Sequence, residues 1–494
     1  MIKKTVLKFL LLGFSIAFAQ NPGDNVFNSP QVFEIHLAFE QKHFLDSLYH
    51  SQEIKEYIIG HISINNQDFD SVGVRFKGVS SFWGYPGDKK ALRIKFDKFK
   101  EQRFDGLNRI NLNNGWSDPT LLREKLYLDF LNEHGIPAPR ANFAKVYINE
   151  KYWGMYTLTE HIDKTFLQQR FANNDGNLFK AERLATLEWK GSAQEDYYEN
   201  YHLQTNESEN DWSDLIQFIN IINNSSPQVF QNALRQVLDT DGYLKVWAAN
   251  NLFMNLDSYL GSANNFYLYN DEEQNRFRWI IWDVNLTFGA RTGNDTLDIF
   301  WNPDKRPLIN KLLHNDILKK EYLNSFKLLS ADFNTEYFYP RIDALFDLIK
   351  ADYFADTLKM YSNEEALLNI DEQIGLVPGL KSFIAGRMES VNRQIDVTAV
   401  PRDRRAIRGY SFIETYPNPF NSNSTITFSI KQPGKIKLTI YDINGRKVAE
   451  LLNEFKQAGE YKINFNAKDL SSGFYFVRLQ SSHEVILNKM ILLK

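Results

Sequence analysis

The sequence predicts an α+β body followed by a small all-β sandwich. Three observations carry this prediction. Between residues 31 and 395, blocks of strand-type alternation and of helical periodicity follow one another. The composition shifts at about residue 397, where Pro401-Arg402-Asp403-Arg404-Arg405 reads as a polar, basic linker. Beyond Tyr416, short strands recur with turn signals between them, the pattern of a β-sandwich. The chain has 494 residues, 43% of them hydrophobic, which is enough for a large core and two or three domains.

Met1 to Ala19 reads as a secretory signal peptide. Lys3, Lys4 and Lys8 charge its start, Phe9 to Ala17 is apolar, and Ala17-Phe18-Ala19 is a small-residue cleavage site. That apolar run is too short for a membrane span, and no later segment is long and apolar enough for one. Cysteine is absent, which excludes disulfides, thiolate metal sites and cysteine nucleophiles. The net charge of −4 offers no basic field for nucleic acid.

Alternation marks strands at Phe33–Leu37 and Tyr57–Ile64. Two more, Val72–Ser81 and Ala91–Phe96, flank a Gly/Ser/Pro-containing loop that ends in Lys89 and Lys90. Such a loop can hold an anion through backbone N–H groups and ammonium charge. Ser117-Asp118-Pro119 has the cap and first-turn residues of a helix that Gly135 would end, with Glu124 in its first turns. Val146–Glu160 reads as a hairpin, His161–Phe171 as a short helix and Gly176–Lys180 as a strand. Residues 208–256 and 306–395 are helical by pattern. In the tail, strands are expected at Ser424–Ile430, Lys435–Tyr441, Gly459–Phe465, Gly473–Leu479 and Val485–Leu493.

The stretch Asn255 to Gly289 organises the body. Asp257 and Asn264-Asn265 precede the apolar run Phe266–Tyr269. A charged turn follows, and Arg278–Trp282 then delivers Asp283. Two short β-type runs joined by a polar turn read as a hairpin. Its ends lie close together, so Asp257, Asn265 and Asp283 can converge. Two acids and an amide form an all-oxygen set that suits Mg²⁺ better than zinc. Asx turns that only cap the hairpin are the competing reading.

The body resembles the CotH kinase family, named for the spore coat protein H. The matching blocks include Val72-Gly-Val-Arg-Phe-Lys-Gly, Lys89-Lys-Ala-Leu-Arg-Ile-Lys-Phe96 and Ser117-Asp118 with Leu122-Arg123-Glu124. Tyr152-Trp-Gly-Met-Tyr156 with Glu160, Gly176-Asn-Leu-Phe-Lys180, Asn265-Phe-Tyr-Leu-Tyr269, Trp282-Asp283 and Arg306-Pro307-Leu308-Ile309 continue it. The resemblance implies an atypical protein-kinase-like two-lobe domain. It also implies transfer of phosphate from ATP to Ser/Thr of secreted or coat proteins, with Mg²⁺ or Mn²⁺. By position, Asp257 matches the catalytic acid, Asp283 the metal-binding acid of Trp-Asp-x-Asp, and Asn265 the second metal ligand. Lys90 or Lys95 is placed as the phosphate lysine with Glu124 as its partner. Glu160 is placed as the hinge and Lys180 as a further phosphate contact. The second acid of Trp-Asp-x-Asp is Asn285 here, which brings no charge.

The tail is similar to the C-terminal sorting domain of the type IX secretion system. Tyr416-Pro-Asn-Pro-Phe420, Tyr441-Asp-Ile-Asn-Gly-Arg446 and Gly473-Phe-Tyr-Phe-Val477 carry that likeness. The expected divisions are a signal peptide (1–19), a CotH kinase-like domain (20–400), a linker (401–415) and a β-sandwich sorting domain (416–494). The expected partners are a secreted or surface protein substrate and the type IX machinery, and the expected location is outside the cell or on the outer-membrane surface. A non-catalytic surface protein on the same fold is the alternative. A carbohydrate-binding protein, after Trp83, Trp116, Trp153, Trp189, Trp212 and Trp301, is a third reading. Mass spectrometry of surface and culture fractions should find a chain starting at Gln20 and lacking the tail. A full-length cytoplasmic chain would overturn the export reading.

Overall fold

Among the described residues, seven strands close into a barrel. They are β1 (Val32–Ala38), β2 (Ile58–Ile64), β3 (Gln67–Phe76), β4 (Leu92–Lys95), β5 (Arg109–Asn113), β6 (Ala141–Ile148) and β7 (Lys151–Glu160). Their order is β1-β2-β3-β4-β5-β7-β6. Neighbours are antiparallel except at the seam, where β1 runs parallel to β6 from Val32↔Phe143 to Leu37↔Ile148. The structure is a computed structural model. It describes residues 21–395 and 413–494, apart from Pro86, Ala172, Pro417, Pro419, 431–433, Asn444, Ala458 and 482–484. The expected signal peptide, the basic linker at 402–408 and Asn444 of the expected Asn-Gly turn lie outside the described residues. The chain divides into two compact units at residue 396/397, close to the composition shift.

Period-two alternation decides which barrel residues point inward. Ile35, Leu37, Ile62, Val72, Val74, Phe76, Ile94, Ile110, Leu112 and Leu158 are buried in one core. Their neighbours Arg75, Arg93, Lys95, Arg109 and Asn113 face out and are only half-buried. Asn149 and Glu150, both with positive φ (46° and 68°), make the tight turn between β6 and β7.

The remainder of this unit is a sheet of order β11-β10-β8-β9 with helices around it. Its strands are β8 (Leu178–Ala181), β9 (Tyr201–Leu203), β10 (Phe266–Asp271) and β11 (Arg276–Ile281). The helices Ser213–Asn224, Pro227–Val237 and Thr240–Leu252 precede the hairpin. Helices between Pro307 and Gln394 follow it. Tyr127, Phe130, Phe218, Trp247, Phe253, Phe288, Phe338 and Phe383 belong to a second core, distinct from the barrel's. Of the six tryptophans weighed for sugar contact, Trp153 and Trp212 are buried, Trp116 and Trp189 are half-buried, and Trp83 and Trp301 are exposed.

One helix start differs from expectation. The helix runs Arg123–Glu133 rather than from Ser117 or Asp118. Ser117 and Leu121 hold φ of 61°, which breaks the helical path. Asp118 still caps it from a distance, accepting the Arg123 backbone N–H at 2.9 Å and the Arg123 guanidinium at 2.9 Å.

The second unit holds two antiparallel sheets around one core. Its strands are β12 (Ile413–Tyr416), β13 (Asn423–Ile430), β14 (Gly434–Asp442), β15 (Lys447–Lys456), β16 (Gly459–Asn466), β17 (Gly473–Gln480) and β18 (Val485–Leu492). The sheet orders are β12-β13-β16 and β15-β14-β17-β18. Ile426, Phe428, Leu438, Val477 and Met490, drawn from both, share the core. The five expected strands are present. β12 and β15 were not expected. No helix among the described residues is long and apolar enough to cross a membrane.

A buried ion pair ties the barrel to the helices. Lys89 Nζ lies 2.5 Å from Asp356 Oδ2, and both side chains are almost fully buried. Asp356 also accepts the Met155 N–H at 3.0 Å and the Leu358 N–H at 2.8 Å. Gly154 makes room for it: its φ is 117°, and a Cβ there would meet Asp356 Oδ2 at 2.3 Å. Burial pushes the Lys89 pKa down and Asp356 opposes that shift. Asp356→Ala strands the Lys89 charge and should cost about 3–5 kcal/mol in urea unfolding. An unchanged midpoint would show the pair to be incidental.

Candidate active site

Asp257, Asn265 and Asp283 converge at the open end of the hairpin. The β10–β11 ladder pairs Phe266 with Ile281 and extends one step, the Trp282 N–H donating to the Asn265 carbonyl at 3.2 Å. Asn265 and Asp283 have φ of 58° and 54°, left-handed conformations that Asn and Asp tolerate better than most residues. The chain thereby turns sharply on both strands at the open end of the ladder. Asn265 Nδ2 donates to Asp257 O at 2.8 Å and to Asp257 Oδ2 at 2.9 Å. Asp257 Oδ1 accepts from Ser262 Oγ and from Arg291 Nη1, both at 3.0 Å. Burial raises the Asp257 pKa, Arg291 opposes this, and the Asp283 charge nearby raises it further.

The Asp283 carboxylate takes no hydrogen bond or ion pair from the described residues. Both Asn265 amide hydrogens point at Asp257, which leaves its Oδ1 as an acceptor. A free carboxylate and a free amide oxygen suit a hard cation whose remaining ligands are water and phosphate oxygens. No group of three His, Cys, Asp or Glu side chains that could hold a metal occurs among the described residues.

The barrel's outer face forms the opposite wall, and its central cation is Lys77, just beyond the end of β3. Lys77 Nζ donates to Asn113 Oδ1, and Asn113 Nδ2 donates to Glu124 Oε1 and Oε2 at 2.8 and 2.9 Å. Asn113 thus bridges a lysine and a buried glutamate. Lys77 Nζ also lies over the Trp282 ring at 5.2 Å. Burial pulls the Lys77 pKa down to about 8, against the Asp283 and Glu124 charges. Burial pushes Glu124 up to about 7, with Asn113 and Lys77 opposing. Lys77, Glu124 and Asp283 thus act on one another's charge as one cluster.

Glu124 is linked through Asn113 to Lys77 rather than to Lys90 or Lys95. Lys90 Nζ donates inward to the Phe82 and Tyr85 carbonyls and is buried. Lys95, on β4, lies 3.8 Å from Asp97. Lys77 is one of four lysines in the two neighbouring blocks, with Lys89, Lys90 and Lys95, and the sequence alone does not single it out. Its signal was alternation: Val74 and Phe76 fill the barrel, so Arg75 and Lys77 turn outward. Lys180, on β8, lies 2.5 Å from Glu182, and its charge acts on Lys77. The Glu160 carboxylate is held by Arg140 at 2.6 Å and Arg170 at 2.9 Å, away from this cluster. Its β7 backbone ends the barrel. Arg291, beside Asp257, was not foreseen. Asn285 Nδ2 donates to the Trp116 carbonyl at 2.8 Å, so the amide ties down the loop ahead of the Arg123–Glu133 helix. A carboxylate there would face that carbonyl without a proton to give.

The Glu124 pKa has a stability consequence. A folded value raised to about 7 from 4.5 means that stability is fully present below pH 4.5 and falls as pH rises through 7. Glu124→Gln should remove that fall. Its stability relative to wild type should climb between pH 4.5 and 7 in denaturant titrations. A pH-independent difference would show that Glu124 is not buried with a raised pKa.

Comparisons with known proteins bear on the family of the chain. The CotH kinase protein family matches residues 74–391, and the secretion system C-terminal sorting domain matches 414–493. Inner spore coat protein H of Bacillus subtilis is 29% identical over 283 residues, 55% of this chain and 75% of that protein. Spore coat protein homolog 1 of Rhizopus delemar is 23% identical over 50% of this chain, which spans 42% of that protein. A twitchin kinase region from C. elegans is 11% identical and covers 82% of this chain and 71% of its own, with a TM-score of 0.21, too low to carry a fold argument. The sorting domain marks the chain for secretion or display at the outer-membrane surface. With a family match across most of its length, the chain belongs to the CotH kinase protein family and ends in a secretion-system sorting domain.

Proposed function

We propose that this protein is a secreted or surface-displayed atypical kinase that transfers the γ-phosphate of ATP to Ser or Thr of surface or extracellular proteins. It would reach that location through the type IX machinery. The observation that carries this reading is the uncommitted Asp283 carboxylate near the Lys77–Asn113–Glu124 bridge, with Asp257 beside Asn265 at the same open end of the hairpin. Phosphoryl transfer is mostly positioning and charge neutralisation, and it needs these groups on two facing walls. Asp283 and Asn265 would hold Mg²⁺ or Mn²⁺, which supplies charge neutralisation at the phosphates when bound. Lys77, kept in place by Asn113 and Glu124, takes the phosphate-lysine role considered for Lys90 and Lys95. Lys180 adds a further charge that acts on Lys77. Asp257, fixed by Asn265 and Ser262, orients the acceptor hydroxyl and takes its proton.

A second reading is a non-catalytic surface or coat protein on this fold. Asn285 favours it, because the second motif position is committed to the Trp116 loop rather than to a charge. The relatives' names as spore coat proteins are compatible with either reading.

Transfer from labelled ATP to the protein itself or a generic acceptor separates the two. Asp283→Asn should abolish metal-dependent nucleotide binding. Asp257→Asn should spare binding and lower turnover by about 10²–10⁴-fold. Asn285→Asp should bring no gain in metal affinity, since it removes the donor to Trp116. Metal-dependent ATP binding without transfer in wild type would establish the non-catalytic reading. Binding of neither would reject both nucleotide roles.

A further inference from the structure

The outer faces of β3, β4 and β5 carry more positive charge than a single phosphate lysine requires. Arg75 and Arg93 are direct cross-strand partners, and Lys95 stands opposite Arg109 one pair further on. Like charges placed opposite one another on a sheet are destabilising. Lys77 has Glu124 and Asp283 in its surroundings, and Lys95 has Asp97. Arg75, Arg93 and Arg109 pair with no carboxylate among the described residues. Arg93 Nε donates to Asn111 Oδ1 at 3.3 Å, and Arg109 Nη1 to His161 Nε2 at 3.3 Å, both neutral partners. Burial and the surrounding cations keep His161 well below its usual pKa. The Arg75 guanidinium lies over the Tyr57 ring at 5.3 Å. The Nε atoms of Arg75 and Arg109 are buried without a hydrogen-bond partner.

Buried polar donors are ordinarily satisfied and buried charges paired. Three guanidiniums on one face have only neutral partners, Asn111, His161 and Tyr57, and two of them keep an unpaired Nε, so the face carries uncompensated positive charge suited to an anion. Guanidinium forks match phosphate oxygens in pairs, and three of them suit a multiply charged group better than one carboxylate. Arg75 is two residues from Lys77 on the same side of the chain, about 7 Å away by strand geometry.

We propose that Arg75, Arg93 and Arg109 form a metal-independent subsite for a phosphate-bearing ligand group, beside the Lys77–Asp283 pair and separate from it. The subsite stands whether or not the protein transfers phosphate. The group it holds is either a free phosphate or diphosphate ion, or a phosphate carried by the nucleotide.

The probe is sodium pyrophosphate with the full chain in phosphate-free buffer containing EDTA, read by calorimetric titration and thermal melts. Wild type should bind pyrophosphate and melt higher in its presence. Arg93→Gln and Arg75→Gln should each weaken binding roughly tenfold or more, the scale of a lost charge-assisted hydrogen bond. Without the ligand, both variants should melt at or above wild type, because a repulsion has been removed. Asp283→Asn should keep or tighten pyrophosphate binding while losing metal-dependent nucleotide binding. In a second arm, ATP in EDTA that displaces pyrophosphate with the same arginine dependence assigns the group to the nucleotide, whereas simultaneous binding assigns it to a separate ion. The subsite is overturned if wild type ignores pyrophosphate, if both arginine variants bind it unchanged, or if Asp283→Asn abolishes binding. Variants that melt far below wild type without ligand would show the arginines to be structural and would also overturn it.

Discussion

Closure of the barrel by the parallel pairing of β1 with β6 is the constraint on which the rest of this unit depends. Once Val32–Leu37 is in register with Phe143–Ile148, each strand has an inside and an outside. Ile94, Ile110 and Phe76 have no alternative to the core, and Lys77, Arg93 and Asn113 none to the outer face. A one-residue slip would put the guanidiniums in the barrel. The hydrophobic burial of the barrel interior thus enforces, at no separate cost, the charged wall on which the site is built.

Burial between that wall and the hairpin sheet sets the electrostatics. Lys77 and Glu124 each lose hydration, and each is driven toward its neutral form. Asn113 between them keeps both geometrically fixed without letting them form a closed ion pair. A fully paired lysine would have little left for a ligand; one bridged through an amide keeps its charge directed at Asp283. The Lys89–Asp356 pair is the contrast. It is direct, fully enclosed and supported by two backbone donors, and so it belongs to architecture.

Patterning made several elements readable in advance. The tail strands alternate, and the hairpin at Phe266–Ile281 and the β6–β7 hairpin are short β-type runs bounded by turn residues. β15 was not legible, because Lys447-Val-Ala-Glu-Leu-Leu-Asn-Glu-Phe-Lys456 spaces its apolar residues like a helix. It becomes a strand only because β14 offers an edge, with two register shifts to absorb the misfit. The Arg123–Glu133 helix has cap residues several positions ahead of its first turn. Asp118 reaches across a loop to act as the cap, and spacing rules assume that it does so locally.

The sequence by itself determined the division into body and tail, the hairpin, and the meeting of Asp257, Asn265 and Asp283 at its ends. These are short-range outcomes, since strand alternation and turn chemistry act within a few residues. Only the tertiary structure decided which lysine faces Asp283, that Asn113 links it to Glu124, that Lys90 and Glu160 are occupied elsewhere, and that Arg291 meets Asp257. Some of those contacts span only 5 to 11 residues, as for Lys90 and for Asn113 with Glu124, and others, such as Arg291 with Asp257, span 34. Closure of the barrel and the packing of the hairpin sheet bring them together, and neither is written in any local window of residues.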